Sequence, residues 1–295
     1  MSGPDSFIQR FLLEELDIRG AIVRLDQVWQ ALLVNRDYAP PLRDLLGALS
    51  AVTTVICGNL KQPGRITVQL QGEGPVRLLV VDCADTLNLR GYAKTRDDVA
   101  PEFPAGTGLS KLVGNGQLLL SLDMPGLSRP YQSYVPIEGD SVAEVFEHYL
   151  TQSEQQPAAL HTAASSRGAA CLFLQKLPDA DRKDPDGWDR VTRLASTVRA
   201  EELLGLSAED ILIRLFHQET VRLLDARELT HDWPQDWDKV RDVLRSLGRA
   251  ELEAMLAEHG EILIHDDLSN HEYRFNADDV AALFAEPAPE PRTLH

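Results

Sequence analysis

The chain has 295 residues, enough for one large domain or two smaller ones, with an ordinary 43% of hydrophobic and 25% of charged residues. Its 46 acidic against 29 basic side chains give a formal net charge of −17, which disfavours duplex DNA or an anionic membrane as partner, since both want a basic face. No apolar N-terminal segment follows a basic stretch and no run approaches a bilayer span, so a cytoplasmic protein is expected.

In chain order, "PPLRDLLGALSAVTTVICGNL" reads as a helix, with prolines at its start and Gly58 near its end. "GRITVQLQG" alternates Ile66, Val68 and Leu70 with polar residues and predicts a half-buried strand. "GEG" supplies a turn into a second, more buried strand, "PVRLLVVD". "LNLRGYA", "GQLLLSLDM" and "RPYQSYVPIE" predict further strands, in an antiparallel or mixed sheet because short turns join several of them. In "GDSVAEVFEHYLTQSEQQP", Ser141 and Glu144 have the spacing of a capping box, an apolar stripe follows, and Pro157 stops the helix.

The polar stretch "PDADRKDPDG" predicts the end of a first domain, and helices follow it. They are "WDRVTRLASTV", then "LSAEDILIRLFH" capped by Ser207, then "DKVRDVLRSLG" and "RAELEAMLAEHG", each ending at glycine. A hairpin and a short helix, "ADDVAALFAE", come last, and the tail is expected to be disordered. The expected fold class is α+β. A sheet-plus-helix domain covers 1–178, a helical linker 179–229, a small helix-and-hairpin domain 230–286 and the tail 287–295.

Cys57, Cys83 and Cys171 lie far apart in sequence, without C-x-x-C spacing and each in an apolar run, which reads as buried small hydrophobes. "GNG" at 114–116 has no third glycine and no following helix, so it reads as a turn. There is no G-x-S-x-G, Walker lysine motif or H-E-x-x-H, and no catalytic residue or cofactor is implied. "HDDLSNHEYRF" is dense in metal-ligand types: His265, Asp266, Asp267 and His271 could serve a metal-dependent enzyme. The alternative is a hairpin whose loop is 267–270, which sets Asp266 opposite His271 and His265 opposite Glu272 as cross-strand charge pairs.

Several runs together resemble the 33-kilodalton heat-shock chaperones, the redox-regulated holdases of bacteria. They are "GRITVQLQGEGPVRLLVVD" with "RGYA", "YQSYVPIEGDSVAEVFEHYLTQSEQQP", "RLFHQETVRLL", "LRSLGRAELEAMLAEHGEI" and "YRFNADDVAALF". The resemblance runs from about Phe7 to Phe284. It implies an ATP-independent holdase that binds unfolded or partly folded client proteins and can form a homodimer. It also implies a small C-terminal domain holding zinc through C-x-C and C-x-x-C, whose oxidation releases the linker. Here those four positions fall on Trp233, Gln235, Asp266 and Ser269, none of them cysteine. Only Asp266 is a credible zinc ligand, with His231, His265 or His271 as helpers, so neither zinc nor a thiol switch is expected.

By the same resemblance, clients are expected on apolar linker residues: Leu203, Leu204, Leu206, Ile211, Leu212, Leu215 and Phe216. A core built on Trp233 and Trp237 is expected to replace the metal. A constitutive protein-binding module with a decayed switch is the remaining alternative.

Overall fold

The computed structural model describes residues 5–96, 103–104 and 106–285, so the tail 287–295 lies outside the described residues. The chain divides into two compact units, Met1–Asp232 and Trp233–His295.

The first unit begins with β1 (Phe7–Leu13), β2 (Ile18–Leu25), α1 (Gln27–Leu33) and α2 (Pro40–Gly58). Next come β3 (Arg65–Gly72), β4 (Val76–Ala84), β5 (Leu89–Thr95), α3 (Leu109–Val113), β6 (Gly116–Asp123) and β7 (Tyr131–Pro136). Then follow α4 (Val142–Glu154), β8 (Ala158–Ala164), β9 (Ala169–Lys176), α5 (Ala180–Lys183), α6 (Gly187–Ala195) and α7 (Ala200–Gly205). The unit closes with α8 (Ala208–Phe216), β10 (Val221–Leu223) and β11 (Arg227–Glu228). The strands form two antiparallel sheets. One has the order β10-β1-β2-β9-β8, with β11 also on β1, and the other β5-β4-β3-β6-β7. The mixture of helices and antiparallel sheets is the α+β class that the sequence predicts.

Helix α2 packs on strands of both sheets, and this position explains its composition. Leu42, Leu46, Leu49, Val52 and Val55 are buried, and so are Ser50, Thr53 and Thr54. The two threonine hydroxyls donate to the carbonyls of Leu49 and Ser50 one turn back, at 2.7 and 2.9 Å, while no partner is found for Ser50 Oγ among the described residues. A helix covered on both sides is apolar all round. The expectation that no run approaches a bilayer span is corrected here: α2 is long and apolar enough to cross a membrane, and most of it is buried between the sheets instead.

Local signals hold where they are local. Ser141 Oγ accepts from the amide of Glu144 at 3.2 Å, but the Glu144 carboxylate reaches the amide of Asp140 at 2.7 Å, one residue before the cap. Only half of the expected capping box therefore forms. Gly114, at φ +65°, makes "GNG" the turn from α3 into β6. The ring of Phe11 occupies the space where a Cβ on Gly20 would lie, so the β1–β2 pair tolerates no side chain there.

The residues expected as a helical linker, 179–229, lie within the first unit. Helices α6 to α8 cover the face of the β1-containing sheet opposite α2, with Phe11, Ile18, Ile22, Leu172 and Leu174 beneath them. "PDADRKDPDG" contains the short helix α5. After β11, the backbone of Thr230 bonds to Leu87 and Leu89, and Asn88 exchanges two hydrogen bonds with Asp232.

The second unit has α9 (Trp237–Leu247), α10 (Arg249–His259), β12 (Ile262–Asp266), β13 (His271–Phe275) and α11 (Ala277–Ala285). Its core is Val240, Leu244, Leu252, Ile262, Tyr273, Phe275, Val280 and Leu283.

Candidate functional site

Ser207 Oγ accepts from the Asp210 amide at 3.1 Å and starts α8, which turns Ile211, Leu212, Leu215 and Phe216 inward. All four are buried, as is Leu203 on α7, while Leu204 and Leu206 are partly buried against the same cluster. The structure thus gathers all seven linker residues singled out in the sequence into one apolar face. Phe216 meets Phe11 of β1 with ring centroids 6.3 Å apart. Burying each such side chain contributes about 1.5–3 kcal/mol.

Two polar anchors hold these helices and one buried imidazole lies against them, and none was singled out in the sequence. Arg24 on β2 is buried and donates from Nη2 to the carbonyl oxygen of Leu206, and its Nη1 lies 3.6 Å from Asp26. Arg190 on α6 bridges Asp184 at 2.9 Å and Glu219 at 2.8 Å, tying together the two ends of the helical segment. Hydrogen bonding to Arg190 holds the Asp184 carboxyl below the usual range. His161 sits on β8, which α7 packs against, with its Nε2 buried and unpartnered. Burial lowers the pKa of this imidazole. The signal in the sequence was a charged or polar residue inside an apolar strand, as in "RGAIVRL" for Arg24.

The hairpin keeps the expected register: Asp266 pairs with His271 and His265 with Glu272 across a loop of 267–270. The cross-strand charge pairs do not form. His265 lies 4.0 Å from Asp267 in the loop, and Glu272 lies 3.5 Å from Arg274, two residues along β13 on the same face. Asp266 instead accepts hydrogen bonds from the Ser269 hydroxyl and from the Leu268 amide at 3.1 Å, closing the turn. Asn270 completes that turn in the left-handed region, at φ 61°. Burial alone would raise the Asp266 pKa, but these bonds outweigh it and the carboxyl lies below its ordinary value.

The four positions aligned with the zinc cysteines do not suit a metal. Ser269 is buried and bound to Asp266. Gln235 donates to the Glu272 carbonyl at 3.3 Å and accepts from Trp237 Nε1 at 3.2 Å. Trp233 offers only a carbonyl oxygen, which accepts from His271 Nε2 at 2.6 Å and so occupies one proposed helper. His231, another, lies in the first unit with its Nδ1 2.7 Å from the Leu89 carbonyl. Among the described residues no group of three or more His, Cys, Asp or Glu side chains is placed to hold a metal ion.

The tryptophan-centred core is also corrected. Neither Trp233 nor Trp237 belongs to the buried cluster. Trp237 is 36% exposed and meets Tyr273 edge-on at 4.9 Å and Phe275 at 5.8 Å, with Arg241 5.9 Å above its ring. The buried aromatic is Tyr273, whose hydroxyl oxygen accepts from the Asp236 amide at 2.8 Å. Its polar neighbours, Gln235, Asp236 and Asp238, keep Trp237 at the surface.

All three cysteines are buried, as expected. The fold also places Cys57 beside Cys83, although they are distant in sequence. Cys57 Sγ donates to the Ala84 carbonyl at 3.1 Å. The neighbouring Cys57 thiol, followed by burial, pushes the Cys83 thiol pKa well up, and burial does the same for Cys171.

The family model described as Hsp33 protein matches residues 6–276. The 33 kDa chaperonin of Methylobacillus flagellatus is 39% identical over 279 residues, covering 94% of each chain. That of Chromobacterium violaceum is 38% identical over 280 residues, covering 94% of this chain and 93% of its own. The crystal structure of the 33 kDa chaperonin from Thermotoga maritima superposes with a TM-score of 0.79 at 21% identity, covering 95% of this chain and 98% of that one. These names support a chaperone role. With a match along nearly its whole length and close to two in five residues shared with curated relatives, the chain belongs to the Hsp33 family.

Proposed function

We propose that this chain is a cytoplasmic, ATP-independent holdase that captures partly unfolded proteins and is not switched by zinc release or cysteine oxidation. The observation that carries this reading is the apolar face formed by Leu203, Ile211, Leu212, Leu215, Phe216 and the sheet beneath them. Its helices are held by a few polar anchors and by burial alone. Undocking them exposes a continuous apolar surface of the kind that binds unfolded chains. The donor set at Trp233, Gln235, Asp266 and Ser269 supports the absence of a metal switch, because each side chain lacks a thiolate. Local opening that rises with temperature then takes the place of oxidation as the trigger.

The test is suppression of client aggregation in reducing buffer, measured at low temperature and again after mild heating. Activity appearing only on heating supports the proposal. Full activity in the cold would make the chain a constitutive binding module, and activity that depends on added zinc or peroxide would overturn the proposal.

A further inference from the structure

Strand β8 is an edge of the sheet that α6 to α8 cover, and α7 packs on it. Its side chains alternate between two faces. Leu160 belongs to the core around α2, whereas Ala159 and Ala163 pack with the cluster beneath the helices. His161 stands between those two alanines and opposite Leu172 of β9, a member of the same cluster. A titratable ring is thereby set into the apolar layer that α7 and α8 close. Its Nε2 is buried with no hydrogen-bond partner among the described residues, although the ring as a whole is only half-buried. Water therefore reaches one side of the ring, and protons with it.

A neutral imidazole carries one N–H, and an imidazolium carries two and a full charge. Whichever nitrogen holds the proton of the neutral ring, the charged ring places an unmatched donor at the buried Nε2. Such a group is costly in an apolar layer.

The surrounding charges offer no relief. On β9 the same face carries Ala170, Leu172 and Leu174. On α7, Glu202 is committed to the Arg199 amide at 2.9 Å and to Arg214 of α8 at 2.7 Å, while Arg199 and Glu201 are exposed. Glu147 of α4 accepts from the Leu160 amide at 2.6 Å, and Leu160 itself faces the α2 core. Buried Arg24, which donates to Leu206 at the junction of α7 and α8, is a cation already. Burial accordingly holds the imidazole below its ordinary pKa.

We propose that His161 makes the docking of α7 and α8 acid-sensitive: proton uptake there releases both helices and brings out the client-capturing face without heat or oxidation. The capture step rests on the holdase reading above, and the release does not. In the open form the ring titrates near its ordinary value of about 6.5, whereas the closed form stays neutral to lower pH. Docking is thus fully favoured above that value and weakens as pH falls through it.

The test is hydrogen exchange of the full chain at one low temperature, at about pH 7.5 and about pH 5.5, read as protection factors. Protection of 200–216 should fall by up to about tenfold between the two, the ratio set by the open-state titration, while α2 stays protected. In His161→Leu and His161→Gln, two neutral replacements of different polarity, protection of 200–216 should be level across that range. The proposal is overturned if the unaltered chain shows no change, if α2 opens together with 200–216, or if both variants keep the same pH dependence. Suppression of client aggregation at the acidic pH, with His161→Leu as the control, reads the second step. Release without capture would overturn the holdase reading and the capture step built on it, and would leave the acid-driven release in place.

Discussion

Arg24 and Leu206 lie far apart in sequence, yet the buried guanidinium of one donates to the carbonyl oxygen of the other and joins β2 to the end of α7. Leu206 leads directly into Ser207, the cap of α8. This hydrogen bond therefore links the central sheet to the junction of α7 and α8, two of the three helices that cover its outer face.

Arg24→Met keeps much of the apolar stem and removes the donor, leaving the Leu206 carbonyl without this partner. The expected loss is about 1–3 kcal/mol. Hydrogen exchange should show 200–216 opening at a lower temperature than in the unaltered chain, and holdase activity should appear at that lower temperature. Unchanged exchange across α7 and α8 would remove Arg24 from the latch.

Tyr273 and Trp237 separate the true core of the second unit from its surface. Tyr273→Ala should destabilise this unit by about 3–5 kcal/mol, as for other large buried aromatics. Trp237→Ala should cost markedly less, since that ring is 36% exposed. Thermal melts followed by circular dichroism would check the order, and the reverse order would refute the assigned core.

Elemental analysis of purified protein should find no stoichiometric zinc after mild dialysis. One tightly held zinc per chain would mean that the hairpin rearranges to release Asp266 from Ser269 and His271 from Trp233.

The thiols should resist peroxide in the folded protein. The neighbouring Cys57 thiol and burial keep Cys83 protonated, burial does the same for Cys171, and the thiol is far less reactive than the thiolate. Peptide masses should show all three cysteines unmodified under peroxide until denaturant is added. Loss of two mass units in the folded state would reveal a Cys57–Cys83 disulfide.

His161 predicts an acid sensitivity of definite sign. Burial lowers its pKa below the ordinary imidazole value, so the unfolded chain takes up a proton first as pH falls. Its contribution to stability is present above that unfolded value and is lost as pH drops below it toward the folded value. His161→Leu should flatten the fall in melting temperature between neutral and mildly acidic buffer. An identical slope in both proteins would show that other groups govern it.

Much of this architecture was legible because its signals are local. The alternation at Ile66, Val68 and Leu70, the cap at Ser207 and the loop after Asp266 each involve residues a few positions apart, and the register of the hairpin followed from its loop. Arg24 with Leu206, Cys57 with Cys83, and Arg190 with Glu219 were not legible, because the fold brings distant segments together. Trp237 misled for a related reason: its size argued for burial, but its polar neighbours begin α9 in a position that leaves one edge in water.

Strands β10 and β11 both pair with β1, beyond the helices that cover the sheet. If α7 and α8 lift while those pairings hold, the freed segment is anchored at both ends and forms a ring, not a loose tail. Anchoring both ends removes from the freed segment a conformational free energy that grows only slowly with its length, as about (3/2)RT ln n. Reclosure is correspondingly inexpensive and needs no search for distant partners. A client held on the opened face then competes with the protein's own returning helices, so cooling alone can eject it.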